Sequence, residues 1–401
     1  MLVENIMLTL IRSEICDCSV GEQIQNELTK EKYKELYILS KKHDLSHIVA
    51  SALSRIGFLK DDEISVAFNQ QLMMSLYRDT QREYALKLTS DLLEQAHIPH
   101  ILLKGSVLRL FYPQTWMRTS CDIDVLINKS DADLVEQVLC AAKFVRAKDG
   151  STHDYNYISP NKVHIEIHYT LTQDGRLSLS DRLLESVWNS YSVLDNGCSY
   201  RYSMTPELFI VYHLAHLGRH LLHGGCGVRP FLDLWLINKN FKVDAIKRNE
   251  LLSQCGLLEL YNASTELSQV WLERNRHNDA TELLEKYILC GGAYGTSDNA
   301  AKVQAARGIG KIRSFVNLMF LPRENLKVLY PKLEKYPVLF PFYQVKRWFR
   351  IFDKNKQNKI RHLTDVRNTV KEDDVISTTE LLKQLGLDEK TENPNKAPCG
   401  E

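Results

Sequence analysis

Apolar side chains recur every three or four residues along two N-terminal stretches, 29–42 (TKEKYKELYILSKK) and 64–95 (ISVAFNQQLMMSLYRDTQREYALKLTSDLLEQ), with charges between them. That spacing predicts amphipathic helices, each burying one stripe and wetting the other. The first 97 residues hold glycine only at Gly21 and Gly57, where the periodicity lapses. Residues 1–97 therefore read as a helical N-terminal region, and nothing in it suggests chemistry.

From residue 98 the period changes. Ile101-Leu102-Leu103 predicts a short buried strand, and Lys104-Gly105-Ser106 a turn that opens a helix, VLRLFY, stopped by Pro113. The segment Cys121-Asp122-Ile123-Asp124-Val125-Leu126-Ile127 alternates at its start, as a strand does. Residues 130–143 predict an amphipathic helix with Ser130 as its N-cap. Two further strands are expected at 153–159 and 162–170, joined by Pro160-Asn161. The span 98–204 is thus a small mixed α/β core. Thr205-Pro206-Glu207 starts a helical C-terminal domain, 205–385, and 386–401 is a polar tail expected to be flexible. The predicted class is α+β, with a small mixed-sheet core between helical N- and C-terminal regions.

Composition narrows the possibilities. In 401 residues, 51 Lys and Arg stand against 50 Asp and Glu, so no global field draws the chain to nucleic acid or a membrane, and electrostatic work must be local. The nine cysteines are scattered, odd in number and free of any CxxC pair. That pattern predicts reduced thiols and a cytoplasmic location. Glu4 interrupts the start where a signal core would run, and no run of apolar residues reaches membrane-spanning length.

Asp122 and Asp124 lie two apart on one strand, so their carboxylates share a face. Such a pair repels itself unless a cation sits between, and hard oxygen ligands suit Mg²⁺. By itself a D-x-D is more often a solvated strand. Upstream, Gly105-Ser106 forms a strand-to-helix turn able to receive phosphate oxygens. Downstream, alternation in Val163-His164-Ile165-Glu166-Ile167-His168 puts His164, Glu166 and His168 on one face. If that strand pairs beside the aspartate strand, three carboxylates converge on a two-metal arrangement for phosphoryl or nucleotidyl transfer.

The runs Leu103-Lys104-Gly105-Ser106, Arg118-Thr119-Ser120-Cys121-Asp122-Ile123-Asp124-Val125-Leu126 and Glu166-Ile167-His168 resemble the DNA polymerase beta-like nucleotidyltransferase superfamily. More closely, they are similar to the bacterial "uncharacterised nucleotidyltransferase" family, whose helical H…R…D segment and C-terminal P…R…R stretch are matched by Pro206 to Asp233 and by Tyr336-Pro337 to Arg350. The resemblance implies an Mg²⁺-dependent enzyme moving a nucleoside monophosphate from a nucleoside triphosphate, ATP as the first candidate, onto a hydroxyl acceptor with release of pyrophosphate. It implies that Gly105 and Ser106 hold the triphosphate. Lys104 and Arg118 flank this site in sequence, and either could neutralise triphosphate charge, against the plainer reading of a surface lysine and a structural ion pair. Asp122, Asp124 and Glu166 would be the catalytic acids and metal ligands. Superfamily members often carry Asp at the third position, so Glu166 reaches one methylene further. His168 and Arg229 are candidates for substrate contact.

Other readings compete. His164-x-Glu166-x-His168 admits zinc, although no cysteine pair assists and His168 reads better as a hydrogen-bonding partner that orients the acids. His213, His216 and His220 recur at helical spacing, which is more often a packed face than a ligand set. Arg229 and Asp233 suggest a plain i,i+4 pair after a glycine-rich turn. The tract Lys346 to Arg361 carries seven Lys or Arg and one Asp around Trp348 and Phe349. It suits a nucleic-acid backbone but more often marks the solvated face of an amphipathic helix. A nucleic-acid-modifying transferase and a catalytically silent nucleotide-binding module are the alternatives to transfer onto a small molecule or protein.

Overall fold

A computed structural model of the chain describes residues 2–21, 23–147, 154–172, 177–308, 320–321, 323, 326–327, 330, 332–351 and 370–388. The N-terminal region is helical as the periodicity predicts: α1 (Val3–Ile15), α2 (Gln23–Glu27), α3 (Lys30–Lys42), α4 (Ser46–Arg55) and α5 (Glu63–Gln95). Capping fixes two of the starts. Thr29 accepts from Lys32 N–H at 3.4 Å before α3, and Asp62 accepts from Ile64 and Ser65 N–H at 3.0 Å each before α5.

The core continues with β1 (His100–Leu102), α6 (Lys104–Leu108), β2 (Asp122–Ile127), α7 (Ala132–Ala141), β3 (Val145–Arg146), β4 (Asp154–Ile158), β5 (His164–His168), α8 (Ser178–Glu185), α9 (Val187–Ser190), β6 (Ser192–Leu194) and β7 (Arg201–Met204). Their strands form one mixed sheet of seven in the order β3-β4-β5-β2-β1-β7-β6. The β2–β5 and β1–β7 pairs are parallel and the others antiparallel. The helical remainder comprises α10 (Pro206–His223), α11 (Arg229–Asn240), α12 (Ala245–Gln254), α13 (Leu258–Glu273), α14 (Asp279–Gly291), α15 (Ser297–Ala306), α16 (Lys332–Lys335), α17 (Phe340–Ile351) and α18 (Glu372–Gln384). The fold is α+β.

Alternation along β2 and β5 sorts the two faces of the sheet. Ile123, Val125, Ile127, Ile165 and Ile167 are fully buried on one face, against Ala85 and Leu93 of α5 and Val135 and Leu139 of α7. On the other face Ile101 and Leu126 join a larger core shared by the N-terminal helices and by α10, α11 and α13. The two acids of β2 and the His-x-Glu-x-His run of β5 point to that second face. Among the described residues no helix is long and apolar enough to cross a membrane.

Several local expectations are corrected. The helix predicted over VLRLFY is the short α6 followed by a 3₁₀ turn, Arg109–Phe111. Ser130 does not cap α7: residues 129–131 form a 3₁₀ turn, Asp131 occupies the cap position, and Ser130 Oγ contacts the Asp131 carboxylate at 3.4 Å. Strands β3, β6 and β7 were not predicted, because two to four half-exposed residues carry no readable alternation. Much of the basic tract and most of the tail, residues 352–361 and 389–401, lie outside the described residues.

Candidate active site

The parallel pairing of β2 with β5 runs in the register Asp122↔His164, Asp124↔Glu166 and Leu126↔His168. Registered residues of a pair share a face, so Asp124 and Glu166 stand side by side. Asp124, Glu166 and His168 bring one ligand atom each within 4.8 Å of one another. His168 Nε2 lies 2.8 Å from Asp124 Oδ1 and 3.5 Å from Glu166 Oε2, and His164 Nδ1 lies 3.8 Å from Glu166 Oε1. Asp122 stands apart from that triad, its Oδ1 accepting from Ser120 Oγ at 2.7 Å.

The turn after β1 is bound to the same strand, since Leu103 N–H donates to Asp124 C=O at 3.0 Å. Lys104 follows at φ +36°, a left-handed conformation unusual for a residue with a side chain, and its Nζ reaches Asp124 Oδ1 at 3.3 Å. Gly105 is closely packed: a Cβ there would lie 3.2 Å from Arg118 Nη1 and 3.3 Å from Ser120 Cβ, so a side chain would press on the loop before β2. Ser106 is buried, and its N–H already donates to Leu103 C=O at 3.1 Å. Of the turn, Lys104 and Gly105 face a cleft of about 330 Å³ and Ser106 does not.

Asp122 and Asp124 form one wall of that cleft, and α10 forms the opposite wall with Tyr212, His213, His216 and His220. The histidine stripe is partly packed and partly exposed to the cleft. His213 bonds Pro230 C=O at 2.9 Å, while His216 and His220 bond each other through Nε2 at 2.9 Å. Glu166 and His168 lie one strand further out, behind Asp124. The N-terminal region, in which the sequence suggested no chemistry, contributes His43 and Asp44 from the α3–α4 junction.

Arg118 and Arg229 reach the cleft already paired. Arg118 holds Asp233 with Nε at 3.0 and 3.2 Å and Nη2 at 3.0 Å, and Tyr112 donates to the same carboxylate at 2.8 Å. Arg229 pairs with Asp44 and reaches Thr119 Oγ1 at 3.0 Å. The expected i,i+4 pair between Arg229 and Asp233 is therefore not formed, since both partners are taken from other elements. Arg82 of α5 donates to Arg118 C=O at 2.7 Å and braces the loop that leads into β2. No sequence signal marked Arg82 or Asp44, because their partners lie far away in the chain.

Charge completes the picture. Burial, and next the charge of Asp124, push the Asp122 carboxyl above its ordinary range. Burial acts on Asp124 in the same direction, but Lys104 and then His168 outweigh it and hold that carboxyl well below the usual range. Burial opposes protonation of His168, yet its bonds to Asp124 and Glu166 raise it to about 9. Three cationic side chains (Lys104, Arg118, Arg229) and four carboxylates (Asp44, Asp122, Asp124, Asp233) line the cleft, so it holds no surplus positive charge for a polyphosphate. The triad's two carboxylates and one imidazole fit a divalent cation as a donor set.

Six histidines, among them His43, His47 and His220 at about 4, are held neutral, chiefly by burial. A histidine whose folded pKa is depressed contributes stability that is complete above its unfolded value near 6.5 and is lost as pH falls toward the folded one. Each contributes on the order of 1.4 kcal/mol per pH unit across that window. His168 acts in the opposite sense and weakens between about 6.5 and about 9. Melting temperature is therefore expected to fall steeply from pH 6.5 to 4; a flat profile down to pH 5 would contradict the neutral burial of these rings.

No curated protein and no solved structure matches the chain. One family model, described as "Uncharacterised nucleotidyltransferase", matches residues 29–273, from the cap of α3 to the end of α13. That span takes in the acid strands, the turn at Lys104 and the helical wall of the cleft. The chain belongs to this family of DNA polymerase beta-like nucleotidyltransferase domains.

Proposed function

We propose that the protein transfers a nucleoside monophosphate from a nucleoside triphosphate, ATP first among candidates, to a hydroxyl of a small molecule or protein, releasing pyrophosphate. The observation that carries this reading is the pairing of Asp124 with Glu166 on adjacent parallel strands, with Asp122 and Asp124 on the wall of a cleft whose own cations are all neutralised. Asp122, Asp124 and Glu166 would hold Mg²⁺, with His168 orienting Asp124 and Glu166. Bound there, the ion supplies the positive charge that the triphosphate needs and that the cleft lacks.

The residues of the chain do the rest. Lys104 and Gly105, at the turn, lie where the triphosphate enters, and Ser106 supports the turn from beneath. The acceptor oxygen attacks the α-phosphorus, the bond to the bridging oxygen breaks, and pyrophosphate leaves. The acceptor's proton passes to a carboxylate, for which Glu166 is the candidate. Arg118 acts through Asp233 by fixing the loop before β2, and Arg229 with Asp44 borders the acceptor side.

The test is pyrophosphate release from each of the four nucleoside triphosphates with Mg²⁺, with and without an extract of cell metabolites, protein and RNA. Release that depends on the extract and is lost in Asp122→Ala/Asp124→Ala supports the reading. Release confined to the RNA fraction would replace the acceptor class. Nucleotide binding without release would leave a binding module.

A further inference from the structure

We infer that Lys104 is the resident counter-ion of the acid pair: its ammonium and a divalent cation compete for Asp124, and metal entry frees the ammonium to meet the triphosphate. The inference rests on the reading above, that these acids bind metal, and adds an order to it.

The side chain is placed for this by the fold. Leu103 N–H is tied to Asp124 C=O at 3.0 Å, and Lys104 then adopts φ +36°. Positive φ at a lysine costs energy, and such outliers persist where the surroundings impose them. The conformation brings Nζ within 3.3 Å of Asp124 Oδ1, the oxygen that also receives His168 Nε2 at 2.8 Å. Asp124 is itself one of the three residues whose ligand atoms converge. An ammonium and an imidazole therefore already crowd the oxygen that a metal would need.

The α10 wall favours the same position. Tyr212 lines the cleft together with Lys104, and the neighbouring His216–His220 pair is satisfied internally at 2.9 Å. The α10 residues that line the cleft include no carboxylate, so no anion on that wall draws the ammonium away from Asp124. Only 23 % of the side chain is exposed, and Lys104 faces the same cleft as Asp122. A triphosphate entering there offers the displaced ammonium a new anionic partner. Metal and nucleotide must then each strengthen binding of the other, because the nucleotide takes up the group that the metal expels.

The test uses Mn²⁺ alone, its binding to the full chain followed by the spectrum of the free ion, so that no turnover is needed. Lys104→Met and Lys104→Gln are expected to bind Mn²⁺ about tenfold more tightly than wild type, since a nearby unit charge is removed. Lys104→Arg keeps the charge and is expected to match wild type. Adding a non-hydrolysable ATP analogue is expected to tighten Mn²⁺ binding in wild type and to do so much less in the two neutral variants. Two substitutions of different polarity keep the result readable if one fails to fold. Binding that is abolished by Asp124→Asn but not tightened in either neutral variant overturns the counter-ion role and leaves the metal site standing. No Mn²⁺ binding to wild type or to any Lys104 variant overturns both.

Discussion

Asp124→Asn is expected to lower acceptor-dependent pyrophosphate release by about 10³-fold and to abolish Mn²⁺ binding, because it removes the carboxylate that holds both Lys104 and His168 and stands beside Glu166 at the proposed metal site. The substitution keeps the shape of the side chain while deleting its charge. It also leaves the Lys104 ammonium and the His168 imidazolium without their common partner, so a loss of about 3 kcal/mol in stability accompanies the loss of function. Measuring both at a temperature well below the melting transition separates them. A fully folded Asp124→Asn protein with wild-type turnover would remove Asp124 from the chemistry.

The second large effect concerns folding. Asp233 accepts three contacts from Arg118 and one from Tyr112, and both members of the ion pair are buried. Asp233→Ala is expected to cost about 3–5 kcal/mol, since a buried guanidinium would be left uncompensated. Arg118→Met/Asp233→Leu, which removes both charges, is expected to recover most of that loss. Denaturant unfolding of the single and double variants decides the matter. If Asp233→Ala costs less than about 1 kcal/mol, the pair is dispensable for the fold and the positioning role given to Arg118 falls.

What the sequence made legible follows from the range of the interactions involved. Long elements declare themselves through period, so α3, α5 and β2 stand within a residue or two of where the hydrophobic pattern put them. The acids of β2 and the His-x-Glu-x-His run of β5 were legible for the same reason, because alternation assigns a face before any partner is known. Whether the two strands would pair was not legible. The register Asp124↔Glu166 depends on a parallel crossover through α7, β3 and β4, which local pattern does not encode.

Pair partners were the hardest to read. Arg229 and Asp233 have ideal helical spacing, yet each finds a partner in another part of the fold: Asp44 at the α3–α4 junction and Arg118 before β2. Local spacing offers a contact worth only a few tenths of a kcal/mol, and a buried bidentate pair outcompetes it. The same blindness hid Arg82, whose role is to hold backbone carbonyls of a distant loop. The phosphate role assigned to Ser106 shows a finer limit. The glycine-serine turn was visible in the sequence, but that the Ser106 N–H is already used by Leu103 emerges only once the backbone is closed.

The central claim is that the α-phosphorus, and not the γ-phosphorus, is attacked. Parallel reactions with nucleoside triphosphate labelled at the α or at the γ position, with Mg²⁺ and the acceptor-containing fraction, test it most directly. α-Label is expected to enter the acceptor and γ-label to leave only as pyrophosphate, and both are expected to be lost in Asp122→Ala/Asp124→Ala. Transfer of γ-label to the acceptor, with the α-label retained in a diphosphate, would make the protein a kinase and rule out nucleotidyl transfer.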